Sequence, residues 1–129
     1  MKDMIDNIYE TLNANTRFHE LIGNRIRKYD YPESADKAPM FCLILPLAPP
    51  VAKTGASDIG QTVQFYFQVN IEGLVRLDVK EASHIVADVM RGFNFAQLDT
   101  GLDEYFPDTG RFVDARRYRG FTKLYDTDY

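Results

Sequence analysis

The segment Thr62–Glu72 constrains the fold more than any other part of the chain. Val63, Phe65, Phe67, Val69 and Ile71 alternate with Gln64, Tyr66, Gln68, Asn70 and Glu72. Side chains of an extended chain point to opposite faces in turn. The segment is therefore predicted to be a long strand. One face is aromatic and aliphatic; the other is polar and uncharged until Glu72. Gly73 marks a bulge or the strand's end.

A long strand needs partners. Met40-Phe41-Cys42-Leu43-Ile44-Leu45 is a continuous apolar run of strand length between Pro39 and Pro46. Such a run suits a strand covered on both faces, paired with 62–72 across the loop 47–60. That loop holds Pro49, Pro50, Gly55, Ser57 and Gly60 and is long for one domain. Arg25–Tyr31 reads as a short strand, although its alternation is poor.

Helices are expected at two places. Ile5, Ile8 and Leu12 recur on one face after the capping residue Asp3. Asn13-Ala14-Asn15 interrupts them, and Phe18, Leu21 and Ile22 follow, so the N-terminal helix should be kinked or in two parts. Asp78 and Glu81 have capping-box spacing, with Leu77 and Ala82 placed to staple it. Val79, Ala82, Val86, Val89, Met90 and Phe93 then share a face, with Gly92 as terminator. Lys80, Glu81, His84, Asp88 and Arg91 point outward. Leu102–Phe106 and Arg111–Phe121 form two strands about the turn Pro107-Asp108-Thr109-Gly110. The expected fold is α+β: a central, mostly antiparallel sheet flanked by an N-terminal helix and a second helix near residues 78–92.

The 129 residues suit a single domain, 1–129. A net charge of −4 argues against a basic field over the whole surface. The single cysteine, Cys42, allows no intrachain disulfide and fits a reducing compartment. The first residues are acidic and polar, so no secretory signal is expected. No apolar run approaches membrane-spanning length.

Chemistry-bearing motifs are absent. No serine lies in G-x-S-x-G. Cys42 lies in the most apolar run, where an inert thiol is expected. Glu81, His84 and Asp88 share a helix face but read as a solvated surface rather than three metal ligands. Paired-glycine and G-K-[ST] phosphate motifs do not occur. Asp99, Asp103, Glu104 and Asp108 cluster near the C-terminal hairpin, and an acidic rim is the expected reading rather than a catalytic pair. No catalytic residue, metal or cofactor is expected, and the chain is read as not an enzyme.

One charged feature remains. Arg111, Arg116, Arg117 and Arg119 lie on one strand, interleaved with Phe112, Tyr118 and Phe121. Arg117 and Arg119 share a face and Arg116 takes the other. Three uses are open: phosphate contact and base stacking, bidentate contacts to carboxylates of a neighbouring subunit, or blunting of an edge strand.

The whole pattern resembles the tail-terminator (tail-completion, tail-to-head joining) proteins of siphophages and prophages. These include the lambda-type minor tail protein U group and an uncharacterised family of lactic-acid-bacterial phages. The resemblance rests on Leu21–Ile26 (LIGNRI), APMFCLILP, Gln64–Gly73 (QFYFQVNIEG), the helix from Asp78, and FPDTGRFVDARRYRGF. Within the last, Tyr118-Arg119-Gly120-Phe121 is the most family-like part. It is a likeness of order, length and texture, over most of the chain. It implies a subunit of a ring, commonly a hexamer, seated on the head-proximal end of the tail tube. The ring ends tube polymerisation and joins tail to head. The implied partners are further copies of the chain, the tail tube protein and a head–tail connector protein. DNA would pass through without specific binding. The implied location is the virion neck, after assembly in the bacterial host cytoplasm. The family supplies no catalytic residue and no cofactor. Subunit contacts are inferred from this sequence alone: Arg111, Arg116, Arg117, Arg119 and Tyr118 on one side, Asp99, Asp103 and Glu104 on the other. Another neck protein (a head-completion or adaptor subunit) and a small nucleic-acid-binding module are the alternatives.

Overall fold

The computed structural model describes residues 3–53 and 62–123. The part of the 47–60 loop beyond Lys53 and the aromatic–acidic end Leu124–Tyr129 lie outside the described residues.

Helix α1 (Met4–Ala14) starts where Asp3 accepts the amide of Asp6 at 3.1 Å, and it buries Met4, Ile5, Ile8 and Leu12. Asn15 ends it and caps α2 (Thr16–Ile22), accepting the amide of Phe18 at 2.9 Å. The two-part helix is as expected. Strands β1 (Ile26–Lys28), β2 (Met40–Pro46), β3 (Val51–Lys53) and β4 (Thr62–Gly73) follow. Then come α3 (Arg76–Gly92), β5 (Phe95–Phe106) and β6 (Arg111–Lys123).

The sheet runs β1-β2-β4-β6-β5, with β3 on the start of β4 beside β2. Among the described residues only the β1–β2 pair is parallel. The fold is α+β, as the sequence implies. All three helices lie against one face. Met40, Cys42 and Ile44 of β2 and Val63, Phe65, Phe67, Val69 and Ile71 of β4 fill the core beneath them. Each such side chain contributes roughly 1.5–3 kcal/mol relative to an exposed one. Gly120 lies opposite both Phe65 and Phe95, and a Cβ on it would stand 2.4 Å from the Phe95 ring. That gap lets Phe65, Phe67 and Phe95 gather, with ring centroids 5.8–6.2 Å apart.

Several expectations are corrected. α3 begins two residues before Asp78, with Val75 as a cap that makes no side-chain hydrogen bond. Glu81 does not fold back to close a capping box; it takes Arg17 of α2 at 2.5 and 2.8 Å. Leu77 is 66% exposed, so it does not staple Ala82. β5 begins at Phe95 rather than Leu102, because a bulge between Gln97 and Gly101 breaks the alternation. Residues 51–53 of the expected loop are a strand. β2 is covered fully only on the helix side. On its other side Phe41 is buried under Tyr31, with ring centroids 4.3 Å apart, while Leu43 and Leu45 are half-buried.

Candidate functional site

Strand alternation divides the arginines of β6 between the two faces of the sheet. Arg111, Arg117 and Arg119 fall on the helix-free face, in register with Glu72's side of β4. Arg116 falls beneath the helices, opposite Val69. Most of these cations are already engaged within the chain. Arg111 donates to the Lys37 carbonyl at 3.2 Å and lies over the Phe41 ring. Arg117 Nε donates to Gln68 Oε1 at 2.9 Å, and Gln68 Nε2 in turn donates to Asn70 at 2.8 Å. Arg116 makes a two-pronged contact with Asp114, at 2.9 and 3.2 Å, and reaches Gln97. Arg119 is exposed and makes no ion pair among the described residues.

Asp114 is the centre of the buried electrostatics. It is 2% exposed, and Lys80 of α3 reaches it at 2.9 Å from one side while Arg116 holds it from the other. Lys80 also donates to Asp103 of β5. The network ties α3, β5 and β6 together. Burial alone would pull Lys80 below its ordinary value, but hydrogen bonds to Asp103 and Asp114 outweigh it and hold the ammonium above. Lys80, expected to point outward, and Asp114 are not marked by any sequence motif. The available signal was one carboxylate at a core-facing position in an otherwise basic strand. A shallow groove of about 380 Å³ runs beside this network along the β5 bulge and is lined in part by Asp99, Asp103, Asp114 and Arg116. Two of its three carboxylates are neutralised by Lys80 and Arg116.

Tyr118 is 1% exposed and packs in the core opposite Phe67, so its side chain is not part of a surface in this subunit. Among the described residues its hydroxyl has no hydrogen-bond partner, and burial pushes the phenol up to about 12. Asp99, Asp103 and Glu104 do not form one patch. Asp103 stands opposite Asp114 on the helix side, Glu104 stands opposite Val113 on the other face, and Asp99 lies in the bulge. Asp99, Glu104 and Asp108 are exposed without an ion pair among the described residues.

Glu81, His84 and Asp88 do not converge either: Glu81 binds Arg17 and Asp88 binds Arg91 at 2.6 Å. Among the described residues no group of three or more potential ligands is placed to hold a metal ion. Cys42 is fully buried, and that burial raises its thiol far above the ordinary range. No described helix is long and apolar enough to cross a membrane.

Apolar surface is also left uncovered at places that no sequence pattern marks. Leu74, Val75 and Leu77 follow β4, and Leu102, Tyr105 and Phe106 lie on β5 toward its turn. Gly73 pairs with Phe112 and Phe112 with Tyr105, so these residues share one end of the sheet. Val51 and Phe121 flank Gln64 near the other end, where Leu47 donates its amide to Tyr66 at 2.9 Å.

No family model and no curated protein matches the sequence. The fold, however, is similar to a chain in the solved structure of the "virion of native gene transfer agent (GTA) particle". The likeness covers 90% of this chain and 91% of that one, with a TM-score of 0.66 at 13% identity. At that identity it establishes the shared fold.

Proposed function

We propose that this chain is a structural subunit of a phage-type particle, acting as a tail terminator: a ring on the head-proximal end of the tail tube that stops tube growth and receives the head. The observation that carries the reading is the end-to-end likeness to a virion chain, with nearly complete coverage of both. It agrees with the order and texture of segments on which the tail-terminator resemblance rests. The uncovered apolar ends, the helix-free sheet face and the charges Arg119 and Glu104, which make no ion pair among the described residues, suit a protein that works through contacts with other proteins. The partners in this reading are further copies of the chain, a tail tube protein and a head–tail connector. DNA passes through the ring without specific contacts, and the particle is assembled in the bacterial cytoplasm. A catalytic role is not part of the reading. The nucleic-acid alternative is weakened because Arg111, Arg116 and Arg117 are engaged within the chain.

Deletion of the gene from its phage or prophage, followed by electron microscopy of lysates, tests the role. The expected result is over-long tubes without heads. Normal virions would sink it, and capped tails of normal length beside unfilled or leaking heads would favour a head-completion or adaptor subunit instead.

A further inference from the structure

The uncovered apolar side chains of the two ends differ in their electrostatic company. The segment 95–110 carries Asp99, Asp103, Glu104 and Asp108 and no Lys, Arg or His. Asp103 is paired with Lys80, and the neighbouring Arg111 is held by the Lys37 carbonyl, so Glu104 and Asp108 are the charges left exposed toward the turn without an ion pair among the described residues. The opposite end carries Arg119, two residues from Phe121 and on the same face. Glu104 pairs with Val113, and Arg119 lies six residues further along β6 on the same face, a separation on the order of 20 Å. A two-fold contact between like ends would bring carboxylates against carboxylates at one end and leave Arg119 unneutralised at the other. A contact between unlike ends places apolar surface on apolar surface and Glu104 within reach of Arg119. Unlike ends joined in succession are heterologous contacts, which produce a closed ring when the rotation per subunit divides the circle.

Resting on the ring reading above, we infer that the β5–β6 turn end of one copy docks on the Val51–Phe121 end of the next copy, with Leu102, Tyr105 and Phe106 meeting Phe121 and Val51, and Glu104 meeting Arg119. The occupant of each end is a second copy of this chain. Tyr105 is stiffened for that role by packing against Phe112 in a tilted ring contact, at 4.7 Å between ring centroids. Gly101 and the bulge set the direction in which the hairpin projects.

Cysteine trapping tests the topology, because Cys42 is fully buried and stays silent. Leu102→Cys and Phe121→Cys are made separately and oxidised at high protein concentration, alone and mixed. Head-to-tail docking gives a cross-linked dimer in the equimolar mixture, only the wild-type background in either variant alone, and a ladder beyond the dimer in Leu102→Cys/Phe121→Cys, where a two-fold pairing of the same residues would stop at the dimer and overturn the inference. A dimer from one variant alone, or none from the mixture, overturns the inference. A charge exchange supplies a second readout that does not depend on cysteine. Arg119→Glu weakens self-association about ten- to a hundredfold, and adding Glu104→Arg to the same chain restores it. Failure of the exchange to restore association counts against the contact. The two readings separate cleanly. Trapping that fails while the deletion still yields over-long tubes removes this interface and keeps the tail role. Normal virions in the deletion alongside successful trapping do the reverse.

Discussion

The Lys80 ammonium stands 2.9 Å from the Asp114 carboxylate and links α3 to the one charged side chain buried among the described residues. Arg116 completes the arrangement from the same strand. A buried carboxylate held by two cations is costly to disrupt, because Arg116 then loses its ion pair in a largely buried setting and regains little water, while Lys80 keeps Asp103 alone. Asp114→Ala is expected to destabilise the fold by about 3 kcal/mol. Lys80→Met should cost about 1 kcal/mol, since Arg116 still satisfies Asp114. Urea midpoints with unchanged slopes check both. Equal losses for the two variants would refute the central place given to Asp114.

Tyr118 provides a test at alkaline pH. Its hydroxyl is buried without a partner among the described residues, which costs roughly 1–2 kcal/mol, so Tyr118→Phe should raise stability by about that amount at neutral pH. Burial also raises the phenol to about 12, against about 10 when unfolded. Above pH 10 the unfolded chain therefore loses its proton first, and stability falls as pH climbs from 10 to 12, by on the order of 2–3 kcal/mol. Lys80 acts in the same direction. Its folded value lies above the ordinary one, so its contribution is complete below that ordinary value and is lost as pH rises through the folded one. Tyr118→Phe should flatten the alkaline decline in part, and Tyr118→Phe/Lys80→Met should flatten it further, while the buried Cys42 thiol, raised in the same direction, leaves a remaining slope that begins at lower pH. Chemical denaturation at a series of alkaline pH values measures the slope; an unchanged slope in Tyr118→Phe would show that the phenol is solvated.

The sequence carried the elements whose residues have one job. In β4 every second residue meets helices and the others do not, so the alternation from Val63 to Ile71 was clear. The same holds for Ile5, Ile8 and Leu12 in α1. What was hidden has physical causes. Phe95 belongs to β5, but Leu98, Asp99 and Thr100 leave the ladder, and a period-2 pattern does not survive three residues that do not pair. Asp78 and Glu81 have the spacing of a cap, yet the helix starts earlier and Glu81 is drawn to Arg17. The arginines of β6 were visible as a group, but a one-dimensional reading could not tell that Gln68, Lys37 and Asp114 would take three of them. Tyr118, grouped with them, follows the parity of Phe67 into the core. The uncovered ends are a property of the sheet's register, and no local pattern announces them.

Gly101 shows how strongly the bulge is specified. Its φ is +137°, and a Cβ would stand 2.2 Å from the Ala115 carbonyl oxygen, a backbone atom. Gly101→Ala is therefore expected to cost at least about 2 kcal/mol and to shift the amide resonances of β5 from Gln97 to Leu102. It should leave those of α1 and α2 in place. A variant with wild-type stability and spectrum would mean that the strand can re-register without the bulge, and the direction of the hairpin would then not be fixed by this residue.

The end of α3 supplies a paired prediction in which sequence and structure disagree. Gly92 looked like the terminator, but it is the last helical residue, and a Cβ there would meet nothing within 4 Å. The left-handed residue is Asn94, with φ 65°. Asn tolerates that conformation better than other side chains because its short amide can bond locally. Gly92→Ala should therefore stabilise the protein by about 0.5–1 kcal/mol, since the helix interior favours alanine and the unfolded chain loses freedom. Asn94→Ala should destabilise it by about 1 kcal/mol, and Asn94→Gly should be neutral or slightly stabilising. Thermal unfolding of the three variants decides between the two assignments. If Gly92 were the left-handed residue, its alanine variant would be the damaged one, and Asn94→Ala would melt with the wild type.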